Sequence, residues 1–284
     1  MVMSKTGFRT PSAVSIGGTT TIRRLESIDE YRQCEKLQEQ IWGPADIGGN
    51  RVVAMLTAQE NGGHVFGAFA ESGELAGFAY SFAGYGPDRR PRLCSIMIAV
   101  DERFRGQGLG YRLKQAQRHD SLAKGIEVIT WTFDPLQRVN AALNIRRLGA
   151  IARTYRANLY GNFTGLNSGL DTDRLVVEWW LRRHPRPSRW HAPSLATPIC
   201  QVIADPRSGL PRIASTDHDV DNDTLFLPIP PSLAELKRVD LALAQDWRAR
   251  TRELFLDYLG RGYVVVDFLT AGSWPGYVLR RPPC

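Results

Sequence analysis

Residues 103–112 read RFRGQGLGYR, so Gly106, Gly108 and Gly110 alternate with larger residues in a basic setting. The apolar run LCSIMIAV precedes them and a helix-like segment follows. Glycine admits positive φ and lets an anion approach backbone amides closely. The first amides of a helix point outward unpaired, at the positive end of its dipole. Strand, glycine turn and helix together make a phosphate site, with Arg103 and Arg105 adding charge at its rim. A pyrophosphate fits this arrangement well.

Two familiar phosphate loops fit less well. A P-loop needs GxxxxGK[ST], and no such lysine follows here. A dinucleotide loop needs GxGxxG and an acidic residue about 20 positions on, at the end of the next strand. Here the spacing is G-x-G-x-G, and Asp134 in TFDP comes a little late. The loop also follows several strands of an antiparallel-looking array rather than the first strand of a βαβ unit.

The other reactive residue types are dispersed. Cys34, Cys94, Cys200 and Cys284 show no CxxC or metal-like spacing, so free thiols in a reducing compartment are expected. His64, His119, His184, His191 and His218 form no cluster, and no metal site is expected.

The elements that would position the loop can be read from periodicity. TTIRRL (Thr20–Leu25) reads as a short strand. Ser27 and Asp29 are cap candidates for the helix IDEYRQCEKLQEQIW, whose Ile28, Tyr31, Cys34, Leu37 and Ile41 share one face. GPADIGGN breaks the chain and VVAMLTAQE reads as a second helix. HVFGAFA, LAGFAYSFAG and RLCSIMIAV read as three strands, followed by a helix from Leu109 to about Lys124. IEVITWTF is a further strand, VNAALNIRRLG a helix capped at Gly149, and AIARTYRANLY and RLVVEWWL two more strands. From Arg182 the texture turns rich in proline and arginine, and residues 183–224 read as an irregular connector. Residues 225–284 read as one long helix, LAELKRVDLALAQDWRARTRELFLDYLG, and a buried strand, YVVVDFLT, packing on the main domain. These could pack in cis or across a homodimer. No internal repeat is present.

In this setting Arg105-Gly106-Gln107-Gly108-Leu109-Gly110 resembles the coenzyme A loop of the GNAT superfamily of acyl-CoA-dependent N-acyltransferases. The element order matches as well, over residues 20–182. The resemblance implies an α+β class: the GNAT acyl-CoA N-acyltransferase fold, a mixed, mostly antiparallel central sheet flanked by helices, here with a C-terminal helix-strand extension. It implies that the strand before the loop splays from IEVITWTF, so that backbone at Met97, Ile98 and Val100 bonds the pantetheine arm. The pyrophosphate would sit on amides of Arg105, Gly106, Gln107, Gly108, Leu109 and Gly110. Asn140 and Asn144, with Arg147, fall at i, i+4 and i+7, so a regular helix would carry all three on one face, with the asparagines near the thiol end of coenzyme A.

The chemistry implied is direct attack of an amine on a thioester in a ternary complex. An alkylamine must lose a proton to attack, so a base or a water chain is needed. A backbone amide can stabilise the charge that grows on the thioester oxygen. No covalent enzyme intermediate is required, so Cys94 need not be a nucleophile. Many relatives place a tyrosine four residues before the glycine that ends the post-loop helix, but here that position is Ile145, which cannot donate a proton. Tyr111, Tyr155 and Tyr160 are candidate substitutes, and Glu127 and Glu178 are candidate bases. Large relatives with this NxxLNxxxLGA and YxxNxYG texture act in amino-acid N-acylation with acetyl or succinyl donors. Asn140, Asn144 and Asn158 match that texture. The expected cosubstrate is therefore acetyl-CoA or succinyl-CoA without a metal, and the expected acceptor a small-molecule amine. Its recognition would rest on GPADIGGN and GNFTGLNSGLDTD, with Asn162, Asn167 and Thr172 as hydrogen-bond partners.

Composition bounds the alternatives. The 284 residues carry 36 Lys and Arg against 29 Asp and Glu, a net charge of +7, so an anionic partner is expected. RRHPRPSRW interleaves Trp190 with arginines, but no helix-turn-helix or RNA-binding aromatic signature accompanies it, so nucleic acid is not expected. No apolar run reaches the ~20 residues of a membrane helix, and residues 1–19 read as a polar leader without a signal-peptide core. A cytoplasmic protein is the expectation. The alternative to an enzyme is a non-catalytic acyl-CoA-binding sensor or partner protein that has lost its tyrosine.

Overall fold

Strand β1 (Thr20–Arg24) pairs antiparallel with β2 (His64–Ala70), Thr20 opposite Ala70, and β2 pairs antiparallel with β3 (Leu75–Tyr85), His64 opposite Ser81. These pairs belong to a computed structural model describing residues 20–43, 51–161, 169–182, 196–206, 208–270 and 272–282. The chain divides into two units. The first holds Met1–Ile41, Gly49–Ala83 and Ile96–Asp120; the second holds Trp42–Gly48, Gly84–Ser95 and Ser121–Cys284. The class is α+β, with mostly antiparallel strands flanked by helices.

In the first unit the strand order is β1-β2-β3-β4, where β4 (Pro91–Val100) enters with its second half. Both faces are apolar because helices cover both. Val65 and Phe69 pack with Tyr31, Cys34 and Leu37 of α1 (Ile28–Trp42) and Met55 of α2 (Arg51–Glu60). Phe66 and Ala68, one step out of phase along β2, pack instead with Leu109 and Leu113 of α3 (Leu109–Ala123). Each buried Val, Leu, Phe or Met among these stabilises by roughly 1.5–3 kcal/mol. Helix α1 starts in a capping box. Ser27 Oγ accepts from the Glu30 amide at 3.3 Å, and Glu30 Oε2 accepts from the Ser27 amide at 3.4 Å and from the Glu26 amide at 2.7 Å. Asp29, the second cap candidate, pairs with Arg32 on the surface instead.

In the second unit, the first half of β4 runs parallel to β5 (Val128–Phe133), with Leu93 opposite Ile129 and Cys94 opposite Thr130. Next come β7 (Arg174–Trp180) and β6 (Ile151–Arg156), both antiparallel. Three strands of the C-terminal segment continue the sheet. β12 (Val264–Leu269) pairs with β6 at Val265 and Ala152, β13 (Gly276–Arg280) pairs with β12, and β11 (Thr224–Pro228) pairs with β13. The short β8 (Thr197–Pro198) lies parallel to β11. Helix α4 (Arg138–Ala141) runs into a π-helical turn, Ala142–Arg147.

Three expectations change here. The stretch 183–224 is not wholly irregular: β8 lies in it, and β9 (Cys200–Ala204) pairs antiparallel with β10 (Pro211–Thr216). Their link is a turn in which Asp205 Oδ1 accepts from the Ser208 amide at 3.0 Å. Prolines at both strand ends masked the alternation, as prolines at sheet margins do. The long helix is two helices, α5 (Leu233–Val239) and α6 (Leu241–Gly260). Asp240 between them is extended (φ −149°), and its side chain accepts from the Leu243 amide at 2.9 Å, so an N-cap interrupts the periodicity. The C-terminal segment also supplies three strands where one was expected. Among the described residues, no helix is long and apolar enough to cross a membrane.

Candidate functional site

The glycine loop of the first unit has unpaired amides. Its backbone bonds run up to Arg105, whose amide donates to Glu102 O at 3.2 Å, and resume when the Arg112 amide donates to Gly108 O at 3.1 Å. Between them, the amides of residues 106–110 have no hydrogen-bond partner among the described residues. Gly106 (φ 77°) and Gly108 (φ 74°) are left-handed, a conformation that glycine adopts without strain. Gly110 is different: it lies inside α3, with no positive φ. Unpaired amides followed by a helix N-terminus suit an anion.

The two rim arginines are not equivalent. Arg103 is tied down, with Nη2 at 2.8 Å from Asp101 Oδ2 and 2.5 Å from Glu74 Oε1. Those carboxylates hold its pKa above the ordinary arginine value. Arg105 makes one side-chain hydrogen bond, from Nε to Val100 O at 3.2 Å, and no ion pair among the described residues. The free positive charge of the loop is therefore Arg105. Gln107, on the surface, folds back on the loop, Nε2 donating to Arg103 O at 3.4 Å. On β4, Met97 packs toward α1 and α2, while Ile98 and Val100 pack toward α3; all three are partly buried.

In the second unit the expected asparagine stripe does not form. Asn140 and Arg147 are exposed, but Asn144 is buried. The cause is the π turn, in which the Leu148 amide donates to Leu143 O, five residues back, at 2.9 Å. A π turn holds more residues than an α turn, so i, i+4 and i+7 no longer share a face. Ile145 is 1% exposed and fills core. Arg146 Nη1 anchors the turn to Asp267 Oδ2 of β12 at 3.3 Å.

Of the catalytic candidates, Tyr155, Glu127 and Tyr160 separate by surroundings. Tyr155 is buried, its hydroxyl donates to Asp173 Oδ2 at 2.6 Å, and its ring stacks on Phe255 of α6 at 5.3 Å. Burial pushes its phenol well above the ordinary range, and the neighbouring Asp173 carboxylate adds to this. Glu127 lies just before β5 on the surface, paired with Arg182. Tyr160 is 50% exposed, and its hydroxyl lies 2.8 Å from Thr132 Oγ1 of β5. Thr132 belongs to a half-exposed face of the sheet. Along β7, Arg174, Val176, Glu178 and Trp180 are partly exposed, while Leu175, Val177 and Trp179 are buried. Val176 pairs with Thr132, Glu178 with Thr130, and Thr130 in turn with Cys94. Trp180 Nε1 donates to Glu178 Oε2 at 3.1 Å.

A chain of polar contacts fixes Tyr160. Its amide donates to Thr172 Oγ1 at 3.0 Å, and the Thr172 amide donates to Asn158 Oδ1 at 3.1 Å. The Asn158 amide donates to Asp173 Oδ1 at 2.9 Å. Asp173, with a fully buried side chain, is gripped by Arg252 of α6 through two bonds of 2.7 and 2.8 Å. One turn earlier on α6, the buried Arg248 reaches Asp134 Oδ2 at 2.7 Å. Sequence reasoning missed these arginines and their aspartates. The available signal was Arg248 and Arg252 at i, i+4 on an otherwise apolar helix face. Asn162, Asn167 and all of GPADIGGN after Gly43 lie outside the described residues.

Comparison with known proteins bears on this geometry. The model of the acetyltransferase (GNAT) family matches residues 24–149. The comparison with curated proteins gave no match. Among solved structures, an N-acetyltransferase from Staphylococcus aureus Mu50 is 18% identical (TM-score 0.49), covering 58% of this chain and 100% of its own. The yncA protein from Salmonella typhimurium, solved with its cofactor acetyl-CoA, is 17% identical (TM-score 0.49), covering 61% and 100%. The ribosomal-protein-S18-alanine N-acetyltransferase from Escherichia coli is 19% identical (TM-score 0.45), covering 60% and 99%.

Proposed function

Because residues 24–149 carry an acetyltransferase domain of the GNAT family, we propose that this protein is an N-acyltransferase that moves an acetyl or succinyl group from acyl-CoA to the amine of a small molecule. The single observation that carries this reading is the row of amides at residues 106–110, unpaired among the described residues, with Gly106 and Gly108 left-handed and Arg105 without an ion pair there. A pyrophosphate has the charge and the acceptor oxygens to satisfy those amides together. Met97, Ile98 and Val100 would offer backbone to the pantetheine arm. Of the two asparagines, Asn140 is exposed and open to a ligand, whereas Asn144 is buried in the packed turn.

In this reading the neutral amine attacks the thioester carbonyl, its proton passing to a base or water. The tetrahedral intermediate then collapses, the C–S bond breaks, and the thiolate takes a proton. Tyr160 supports that last step best, as the candidate whose phenol is both exposed and aimed at β5 by Thr132. Glu178, on the same sheet face, is the favoured base; Glu127 is held by Arg182.

A thiol-release assay tests the proposal. Acetyl-CoA and succinyl-CoA would be crossed with a panel of amino acids and simple amines. Release with at least one pair is expected, and coenzyme A binding without release across the panel would contradict catalysis. Ile145 in the tyrosine position favours the second reading, a non-catalytic acyl-CoA sensor, and that outcome would select it.

A further inference from the structure

Three arginines and three aspartates of the second unit lie close together, and their pairing leaves one cation over. Arg252 takes two carboxylates, with Nη2 at 2.6 Å from Asp171 Oδ2 and 2.7 Å from Asp173 Oδ1. Asp173 is further occupied by the Tyr155 hydroxyl and the Asn158 amide. Asp134 gives Oδ2 to Arg248 and Oδ1 to the Leu136 amide, at 2.7 and 2.9 Å. Among the described residues no carboxylate is left to bond Arg174. Its one hydrogen bond there runs from Nη1 to the backbone oxygen of Asp173 at 2.8 Å, and its guanidinium lies 5.2 Å from the centroid of the Tyr160 ring. Burial pulls its pKa below the ordinary arginine value, opposed by Asp134 nearby. A half-buried guanidinium with most of its donors unused is a poor structural element, because a partly desolvated charge is costly unless paired.

The position of Arg174 gives the unused fork a role. It opens the half-exposed face of β7 that also carries Glu178, and its neighbour Tyr160 bonds Thr132 on the adjoining strand. We propose that Arg174 reads a carboxylate on the acceptor, so that the substrates are amines that also bear a carboxylate, such as amino acids. The inference rests on the N-acyltransferase reading above. A guanidinium fork matches a carboxylate through two parallel N–H···O bonds, and the Tyr160 ring keeps the fork flat and in place. Arg174 is then a specificity-determining residue that takes no part in proton transfer.

The test compares amino acids with their carboxamides, with acetyl-CoA as donor and thiol release as readout, in the full chain. The wild type should prefer the acid by about tenfold or more in kcat/KM, the discrimination one charged hydrogen-bond pair can give. Arg174→Gln should erase that preference, raising KM for the acid about tenfold more than KM for the carboxamide. Arg174→Lys, which keeps the cation but loses the fork, should restore part of the preference and covers the case in which Arg174→Gln folds poorly. Equal use of acid and carboxamide by the wild type, or an equal loss with both in Arg174→Gln, would overturn the role of Arg174 and leave the transferase reading standing. Release with no acceptor of either kind, while coenzyme A still binds, would overturn both.

Discussion

Arg252 of α6 holds Asp173, at the foot of β7, through Nε at 2.8 Å and Nη2 at 2.7 Å, across 79 residues of sequence. The side chain of Asp173 has no solvent exposure, so the pair works as a clasp between the C-terminal helix and the β6–β7 connection. Arg252→Leu would leave a buried carboxylate without its counter-ion. Breaking such a pair costs about 3–5 kcal/mol. Denaturant unfolding of the variant should show a lowered midpoint, and an unchanged midpoint would refute the clasp.

Tyr155 and Tyr160 should respond in opposite ways to loss of the hydroxyl. Tyr160→Phe should unfold like the wild type but lose turnover by about a hundredfold, the lower range for a proton-transfer group. Tyr155→Phe removes a buried bond to Asp173, so stability should fall by about 1–2 kcal/mol with kcat nearly retained. Steady-state kinetics beside denaturant titrations of both variants decide the matter. Retained turnover in Tyr160→Phe would remove the phenol from the mechanism.

Acid should weaken the fold through two buried aspartates. For Asp120, burial alone would raise the pKa, but the bonds from His64 at 2.8 Å and Arg24 at 2.7 Å outweigh it and lower it. For Asp173, burial likewise acts upward and is outweighed by Arg252, Tyr155 and the Asn158 amide. A carboxylate whose folded pKa lies below its unfolded value contributes stability that is complete above the unfolded pKa. That stability is lost as pH falls through the folded pKa. The unfolding midpoint should therefore hold near neutrality and decline from about pH 4 downward. Asp173→Asn should decline less steeply, and a wild-type midpoint constant down to pH 3 would contradict the account.

The thiols should divide by burial. Burial drives the Cys34 thiol far above its ordinary range and pushes Cys200 up to about 12. Thiolate is the reactive form, so both should resist alkylation at pH 8 in the folded protein. Half-buried Cys94 should label first of these three. Mass spectrometry after a short alkylation reads the order, and early labelling of Cys34 would contradict its place between α1 and the sheet.

Much of this was legible because it is local. The short apolar runs HVFGAFA and LAGFAYSFAG, with the turn ESGE between them, announced β2 and β3, and the glycines announced the loop, since a strand or a positive φ leaves its mark within a few residues. The π turn was not legible: ALNIRR has ordinary helical residues, and the widening depends on packing against β12 and on Arg146 reaching Asp267. Nor could the sequence reveal that Tyr155 is occupied and Tyr160 accessible. That division depends on Arg252 and Phe255, which lie on a helix far along the chain. The cap at Asp240 carried a local signal, an aspartate ahead of an apolar run, but the continuous periodicity around it outweighed that signal.

The central claim is that the amides of residues 106–110 hold the pyrophosphate of coenzyme A, and calorimetric titration of coenzyme A tests it most directly. The wild type should bind coenzyme A, while pantetheine, which lacks the pyrophosphate, should bind far more weakly. Gly108→Glu, folded to the wild-type denaturation midpoint, should show no measurable binding, because a carboxylate would stand where the phosphates belong. Unchanged affinity in that folded variant would show that the loop is not the phosphate site.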